Sequence, residues 1–195
     1  MNNMVTNIML GGVGGQGLVL MTRILSQVAL ECDYDVKSND VVGLSQRGGM
    51  VWGNVRYGDK VYSPNIPPKE VDVLLAMEPM EALRWSSEVK DTGIIIMNTK
   101  RWYPVPVQQE KSEYPEDEIS TLKDNFNVIE INAFDEGINI GKKQVSNVIL
   151  LGILAAILDL DRDIWKEVIR NNVPKNTIDI NVDAFEFGYT YSNKI

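Results

Sequence analysis

The run GGVGGQG, Gly11 to Gly17, decides how the rest of this sequence is read. It follows the short, mainly apolar segment Val5 to Leu10 and precedes Leu18 to Leu30, where apolar residues recur at helical spacing. The three pieces together predict a strand, a glycine turn and a helix. Within the run, Gly12, Gly14 and Gly17 have the G-x-G-x-x-G spacing of a dinucleotide-binding turn. Glycines let a backbone approach a phosphate, and free N–H groups at a helix start favour an anion. The same spacing also serves a bare strand-to-helix turn. A dinucleotide site needs, in addition, an acidic residue after the second strand to hold the ribose. The nearest candidate is Asp40, beyond Ser38 and Asn39.

Working outward, Tyr34 to Lys37 predicts a second strand that completes a βαβ unit. Met50 to Tyr57, followed by Gly58-Asp59 and Lys60-Val61-Tyr62, reads as a hairpin, so the sheet is expected to be mixed. Val71 to Ala76 and Gly93 to Asn98 read as buried strands, with a helix from about Met80 to Glu88 between them and Pro79 in its first turn. Pro, Gln, Glu and Tyr dominate from Arg101 to Asp117, an exposed connection, before a strand resumes at Val128 to Ile131. Val145 to Leu158 is apolar nearly all round and predicts a buried helix; Ile164 to Arg170 is the next helix. In the last segment, Thr177 to Tyr191, Ile178, Asn181, Val182, Phe185 and Gly188 fall near one face.

Composition narrows the function classes. The 195 residues suit one domain over 1–195, with 44% hydrophobic and 24% charged residues in the ordinary globular range. A net charge of −8 argues against general nucleic-acid binding. One cysteine, Cys32, cannot build a disulfide framework, a Cys-rich zinc site or an iron–sulfur cluster, and it reads as a small buried residue. There is no histidine, so the commonest general base is missing. The longest apolar stretch is short of the roughly 20 residues needed to span a bilayer. Without a basic leader, a cytoplasmic protein with no membrane contact is expected.

A second loop, Val41 to Gly49, joins the second strand to the next. Ser45, Gln46, Arg47, Gly48 and Gly49 combine two hydrogen-bonding side chains, a guanidinium and two adjacent glycines, a set that can present several donors to one anion. Glu78 and Glu81 flank the start of the helix after Pro79, where negative charge is favoured, so capping is their expected role. Asn147 interrupts an apolar helix and is expected to satisfy a neighbouring loop's backbone. Trp85, Trp102 and Tyr103 are candidates for an aromatic partner-binding surface, with Trp85 on a helix reading as core.

With these motifs in hand, the chain resembles the γ-type subunit or domain of 2-oxoacid:ferredoxin oxidoreductases, and within them the β subunit of indolepyruvate:ferredoxin oxidoreductase. The resemblance rests on Gly12 to Gly17, Gly43 to Gly49, Tyr62-Ser63-Pro64 with Ile66-Pro67, Ala76 to Ala82 with Asn98, Asn147 to Gly152, and Asn181 to Phe185 with Gly188. These occur in the family's order along nearly the whole chain. Where members near the indolepyruvate enzyme often carry Glu-Val-His-Gly, this chain has Asp40-Val41-Val42-Gly43.

The resemblance implies a single three-layer α/β/α domain with a mostly parallel, mixed sheet. It implies a complex that oxidatively decarboxylates a 2-oxoacid, with indolepyruvate or another arylpyruvate favoured, to acyl-CoA while reducing ferredoxin. Thiamine diphosphate, magnesium and iron–sulfur clusters would be held by a partner subunit, with no cofactor held by this chain alone and none of its residues catalytic. Its binding candidates are Gly12, Gly14, Gly15, Gln16, Gly17, Ser45, Gln46, Arg47, Gly48 and Gly49, placed toward coenzyme A. Two alternatives stay open on the residues: a free-standing NAD(P)-binding oxidoreductase and a non-catalytic interaction module.

Overall fold

In the computed structural model, residues 4–42 and 49–192 are described. Strand β1 (Val5–Val13) leads through the glycine turn into helix α1 (Leu18–Glu31). Strands β2 (Asp35–Val42), β3 (Met50–Gly58) and β4 (Val71–Ala76) follow, then helix α2 (Pro79–Trp85) and strand β5 (Val89–Asn98). The connection after β5 carries three short helices, α3 (Val105–Gln108), α4 (Glu116–Ser120) and α5 (Leu122–Asn125), before strand β6 (Asn127–Ile131). Helices α6 (Ala133–Ile140), α7 (Ser146–Ile157), α8 (Arg162–Asn172) and α9 (Ile178–Ser192) complete the chain.

The six strands lie in the order β2-β3-β1-β4-β5-β6. β1, β4, β5 and β6 pair in parallel, and β3 runs antiparallel to both of its neighbours, β1 and β2. The expected mixed, mostly parallel sheet is therefore present. β2 runs in the direction of β1, as a βαβ crossover demands, but β3 is inserted between them.

The hairpin expected at Gly58-Asp59 does not form, and Lys60 to Tyr62 is not a strand. Both edges of β3 are already taken by β1 and β2. The segment after it is held instead by side chains: Val61 N–H donates to Asp35 Oδ2 at 3.0 Å, and Lys60 pairs with the same carboxylate at 3.1 Å. Arg56 continues the tie, donating from Nε to Asn7 Oδ1 at 2.8 Å and from its NH1 group to the carbonyls of Ser63 and Asn65. The hydrogen bonds that Asp35 accepts from Lys37, Val61 and Lys60 hold its carboxyl well below the usual range.

Alternation along the central strands builds two cores. Ile8 and Leu10, Val73 and Leu75, and Ile96 face one side, where α1, α7, α8 and α9 cover them. Met9, Leu74, Ala76, Ile95 and Met97 face the other, under α2 and the α4–α5 region. This is the three-layer arrangement. α7 is buried from Val148 through Ala155, as its unbroken apolar run predicts. α8 needs only one apolar face, Trp165, Val168 and Ile169, and starts where Asp161 accepts from the N–H groups of Asp163 and Ile164. No helix among the described residues is long and apolar enough to cross a membrane.

α7 and α9 touch backbone to backbone. A Cβ on Gly152 would sit 2.2 Å from the Phe185 carbonyl oxygen, and one on Gly188 would sit 2.0 Å from that of Ile149. Neither neighbour is a flexible side chain, so relief requires moving a helix in a close-packed core. Gly188→Ala is expected to lower stability by about 3 kcal/mol. Urea denaturation checks this through a fall in midpoint with an unchanged slope.

Candidate functional site

The carboxyl ends of the parallel strands meet at the glycine turn. Gln16 folds back over it: its Oε1 accepts from Val13 N–H at 2.7 Å, and its Nε2 donates to the Met77 carbonyl at 3.4 Å. Asn98, at the end of β5, donates to that same carbonyl at 3.2 Å and accepts from Ala133 N–H at 3.1 Å. Two amide side chains thus lock the ends of β1, β4, β5 and the start of α6 into one rim. Asn147 adds the long-range tie, its Nδ2 donating to the Gln16 carbonyl at 2.7 Å across 131 positions of sequence. The expected role of Asn147, satisfying a loop's backbone, is the one observed.

Gly17 is needed where it stands. It has φ of 81°, and a Cβ would come within 2.6 Å of Asn147 Nδ2. It caps α1 with no side-chain hydrogen bond, leaving the first N–H groups of that helix facing the rim. The start of α7, at Ser146 and Asn147, faces the same place.

Between them lies a cleft of about 320 Å³ bounded by Gly15, Gln16 and Gly17 on one side and by Lys100, Lys143 and Ser146 on the other. Lys100 Nζ lies 4.7 Å from the centroid of the Phe134 ring, which directs its charge along the rim. Lys100, Lys143 and the start of α1 give this cleft a positive character on an acidic protein. An adjoining cleft of about 360 Å³ shares Gly15 and Trp102 with it and is bounded further by Met50, Met80, Tyr103 and Arg84.

Of the expected binding residues, Gly14, Gly15, Gln16, Gly17 and Gly49 come together here. Gly14 N–H donates to the Gly49 carbonyl at 2.8 Å, so the two loops join at one edge of the sheet. Gly12 is placed inside β1 opposite Val51, backed by the side chains of Gln16 and Met77. Ser45, Gln46, Arg47 and Gly48 lie outside the described residues. Sequence reasoning missed Lys100, Lys143 and Ser146. The available signal was position: Lys100 follows a strand's carboxyl end, Lys143 stands just before a buried helix and Ser146 begins it.

Asp40 does not serve the turn. The interposed β3 moves β2 one strand away from β1, and the Asp40 carboxylate accepts from the Thr22 hydroxyl at 3.1 Å. Among the described residues, no acidic side chain after β2 is placed beside the turn to hold a ribose.

The buried carboxylates have structural partners. Glu78 accepts from Met80 N–H at 2.8 Å, from Trp102 N–H at 3.4 Å and from the Tyr114 hydroxyl. It caps α2, as expected, and also fastens the connection that carries Trp102. Glu81 pairs with Arg84 at 3.2 Å and accepts from the Trp85 indole. Trp85 in turn lies against Trp52, with ring centroids 5.5 Å apart, and both, partly buried, pack against the second core. Burial pushes the carboxyls of both Glu78 and Glu81 up, against the pull of their hydrogen bonds. Among the described residues, no group of three or more His, Cys, Asp or Glu side chains is arranged to hold a metal ion.

The raised Glu81 value has a defined sign. The folded state holds this proton more tightly than the unfolded chain, so the contribution of Glu81 to stability is greatest at low pH. It is lost as pH rises from the ordinary 4.5 through the folded value. Comparing wild type with Glu81→Gln by thermal denaturation from about pH 4 to about pH 8, the wild-type advantage is expected to shrink steadily.

Similarity to known proteins agrees with the site. Residues 7–191 match the pyruvate ferredoxin/flavodoxin oxidoreductase family. The indolepyruvate oxidoreductase subunit IorB of Thermococcus kodakarensis is 37% identical over 188 residues, 93% of each chain. The keto/oxoacid ferredoxin oxidoreductase γ subunit of Geobacter sulfurreducens superposes with a TM-score of 0.73 at 20% identity, covering 97% of this chain and 99% of that one. The 2-oxoglutarate:ferredoxin oxidoreductase of Magnetococcus marinus, solved with 2-oxoglutarate, coenzyme A and succinyl-CoA, gives 0.79 at 16% identity, covering all of this chain and 32% of that one. With the family match spanning residues 7–191 and 37% identity to the Thermococcus kodakarensis subunit over 93% of each chain, this chain belongs to the pyruvate ferredoxin/flavodoxin oxidoreductase family, whose relatives above are subunits or portions of 2-oxoacid oxidoreductases.

Proposed function

We propose that this chain is the γ-type subunit of a cytoplasmic, thiamine-diphosphate-dependent 2-oxoacid:ferredoxin oxidoreductase, with indolepyruvate or another arylpyruvate as the favoured substrate. Its similarity to the indolepyruvate oxidoreductase subunit supports that preference. Thiamine diphosphate, magnesium and iron–sulfur clusters are assigned to a partner subunit that passes electrons to ferredoxin. The observation that carries this chain's own role is the cleft between the glycine turn and Lys100, Lys143 and Ser146.

Coenzyme A is the ligand we assign to it. The thiol of coenzyme A accepts the acyl group, and its phosphates are anions that two lysines and the start of α1 can hold. Gly14, Gly15, Gln16 and Gly17 would offer close backbone approach, and Ser45, Gln46, Arg47, Gly48 and Gly49 in the adjoining loop are assigned to the same ligand. This chain's residues bind and orient; with no histidine in the chain, proton transfer is left to the partner and the substrates. The misplaced Asp40 disfavours the dinucleotide alternative.

The test is reconstitution with the thiamine-binding subunit and a steady-state assay of indolepyruvate oxidation with a viologen acceptor. Lys100→Ala and Lys143→Ala are each expected to raise the KM for coenzyme A about tenfold, the loss of one charge-assisted contact, with kcat little changed. An unchanged KM in both variants would return the cleft to a purely structural role. Saturable micromolar binding of NADH by the isolated chain would favour the dinucleotide reading instead.

A further inference from the structure

The two edges of the sheet differ in charge as well as position. In a parallel α/β layer, helix starts gather at the carboxyl edge and helix ends at the amino edge, so a helix sets its positive pole at one and its negative pole at the other. At the amino edge, between the first residues of β1, β4 and β5 and the end of α7, lies a cavity of about 680 Å³. It shares no residue with the clefts of about 320 and 360 Å³ at the carboxyl edge.

Among the described residues lining this cavity, four are charged, Asp59, Asp72, Lys90 and Asp159, and they do not balance. Lys90 is already paired, its Nζ 2.6 Å from Asp72 Oδ1 and 3.4 Å from Glu70 Oε2. The other Asp72 oxygen accepts from Asn7 N–H at 2.7 Å. Asp59 and Asp159 are exposed, and neither side chain has a hydrogen bond or ion pair among the described residues. Helix α7 adds to them. It ends at Ile157 with Leu158 as its C-cap, both at the cavity, and its last turn has no basic residue to offset the negative pole. The cavity therefore carries unmatched negative charge, the reverse of the cleft beside Lys100 and Lys143.

The walls favour one class of cation. Tyr34 and Tyr57 stand on one side with ring centroids 5.2 Å apart, and the Tyr34 hydroxyl makes no hydrogen bond among the described residues. Val73, Ile94 and Ile157 supply apolar surface. A calcium or magnesium ion takes roughly six to eight oxygen ligands around one point. Among the described residues, no group of three or more His, Cys, Asp or Glu is arranged to hold a metal ion. An organic ammonium ion needs less: a carboxylate or two, an aromatic face and apolar contact for its body.

We propose that this cavity is a second binding site, for a primary amine with an aromatic or branched apolar body. The ammonium group lies between Asp59 and Asp159, close to the Tyr34 ring, and the body lies against Val73, Ile94 and Ile157. Such a site stands apart from the ligand assigned to the carboxyl edge and does not depend on it.

The experiment titrates the full chain with phenethylamine, protonated at neutral pH, by isothermal calorimetry. Saturable binding at a single site is expected, with phenethyl alcohol, the same body without the charge, about tenfold weaker or more. Asp59→Asn and Asp159→Asn are each expected to weaken phenethylamine binding about three- to tenfold with melting temperatures kept. Asp117→Asn, at an exposed carboxylate on α4 outside the cavity, and Lys100→Ala, in the other cleft, are expected to stay within about twofold. No saturable binding, equal affinity for the alcohol, or as large a loss with Asp117→Asn would overturn the amine site. Loss of binding in Lys100→Ala would do the same, by moving the ligand to the carboxyl edge.

Discussion

The Asn147 amide is one of the ties between the two ends of this molecule, the Asn172 amide on Gln27 being another. The Asn147 donation to the Gln16 carbonyl brings the start of the most buried helix against the first loop of the chain. The contact demands a glycine at position 17, since any Cβ there would collide with the amide nitrogen. It also brings the starts of α1 and α7 to one cleft, beside Lys100 and Lys143.

The rim is stiffened by satisfying backbone groups that would otherwise be orphaned at strand ends. The Met77 carbonyl receives Gln16 and Asn98, the Gly49 carbonyl receives Gly14 N–H, and Met77 N–H donates to the Gly11 carbonyl at 2.9 Å. Each bond is modest in net terms, but leaving a buried partner unsatisfied would cost more than the bond contributes. On the far face, Glu78 does the same for the connection after β5, accepting three donors while buried. A carboxylate buried this deeply is tolerated because every donor in reach is used. That arrangement also explains how Trp102 stays ordered while half exposed.

Much of this was legible in the sequence because it depends on local pattern. The strand–turn–helix opening, the buried strand Val71 to Ala76 and the all-round apolar α7 have periodicities that only one kind of element satisfies. So do the capping role of Glu78 and the loop-facing role of Asn147, where a polar side chain at a helix start has few other uses. The family resemblance was legible for the same reason, since its motifs are short contiguous runs. The candidate site was half legible: Gly14, Gly15, Gln16, Gly17 and Gly49 do meet. Lys100, Lys143 and Ser146 were not read, because a lysine after a strand or before a helix looks the same whether it faces a cleft or bulk water.

What the sequence by itself determined, then, is the set of elements and the chemistry at their ends, because helical and strand spacing and capping preferences act over a few residues. The tertiary structure alone decided the order of the strands. Nothing local in Met50 to Gly58 says that it will slot between β1 and β2 rather than fold back on Lys60 to Tyr62. That choice turns on distant partners, with the β1 edge open on one side and Asp35 and Asn7 waiting for Val61 and Arg56 on the other. The same insertion carries Asp40 away from the glycine turn and leaves the turn to the lysines and the start of α7. The candidate cleft is closed by a pairing across 131 residues, Asn147 to Gln16, where sequence spacing carries no signal.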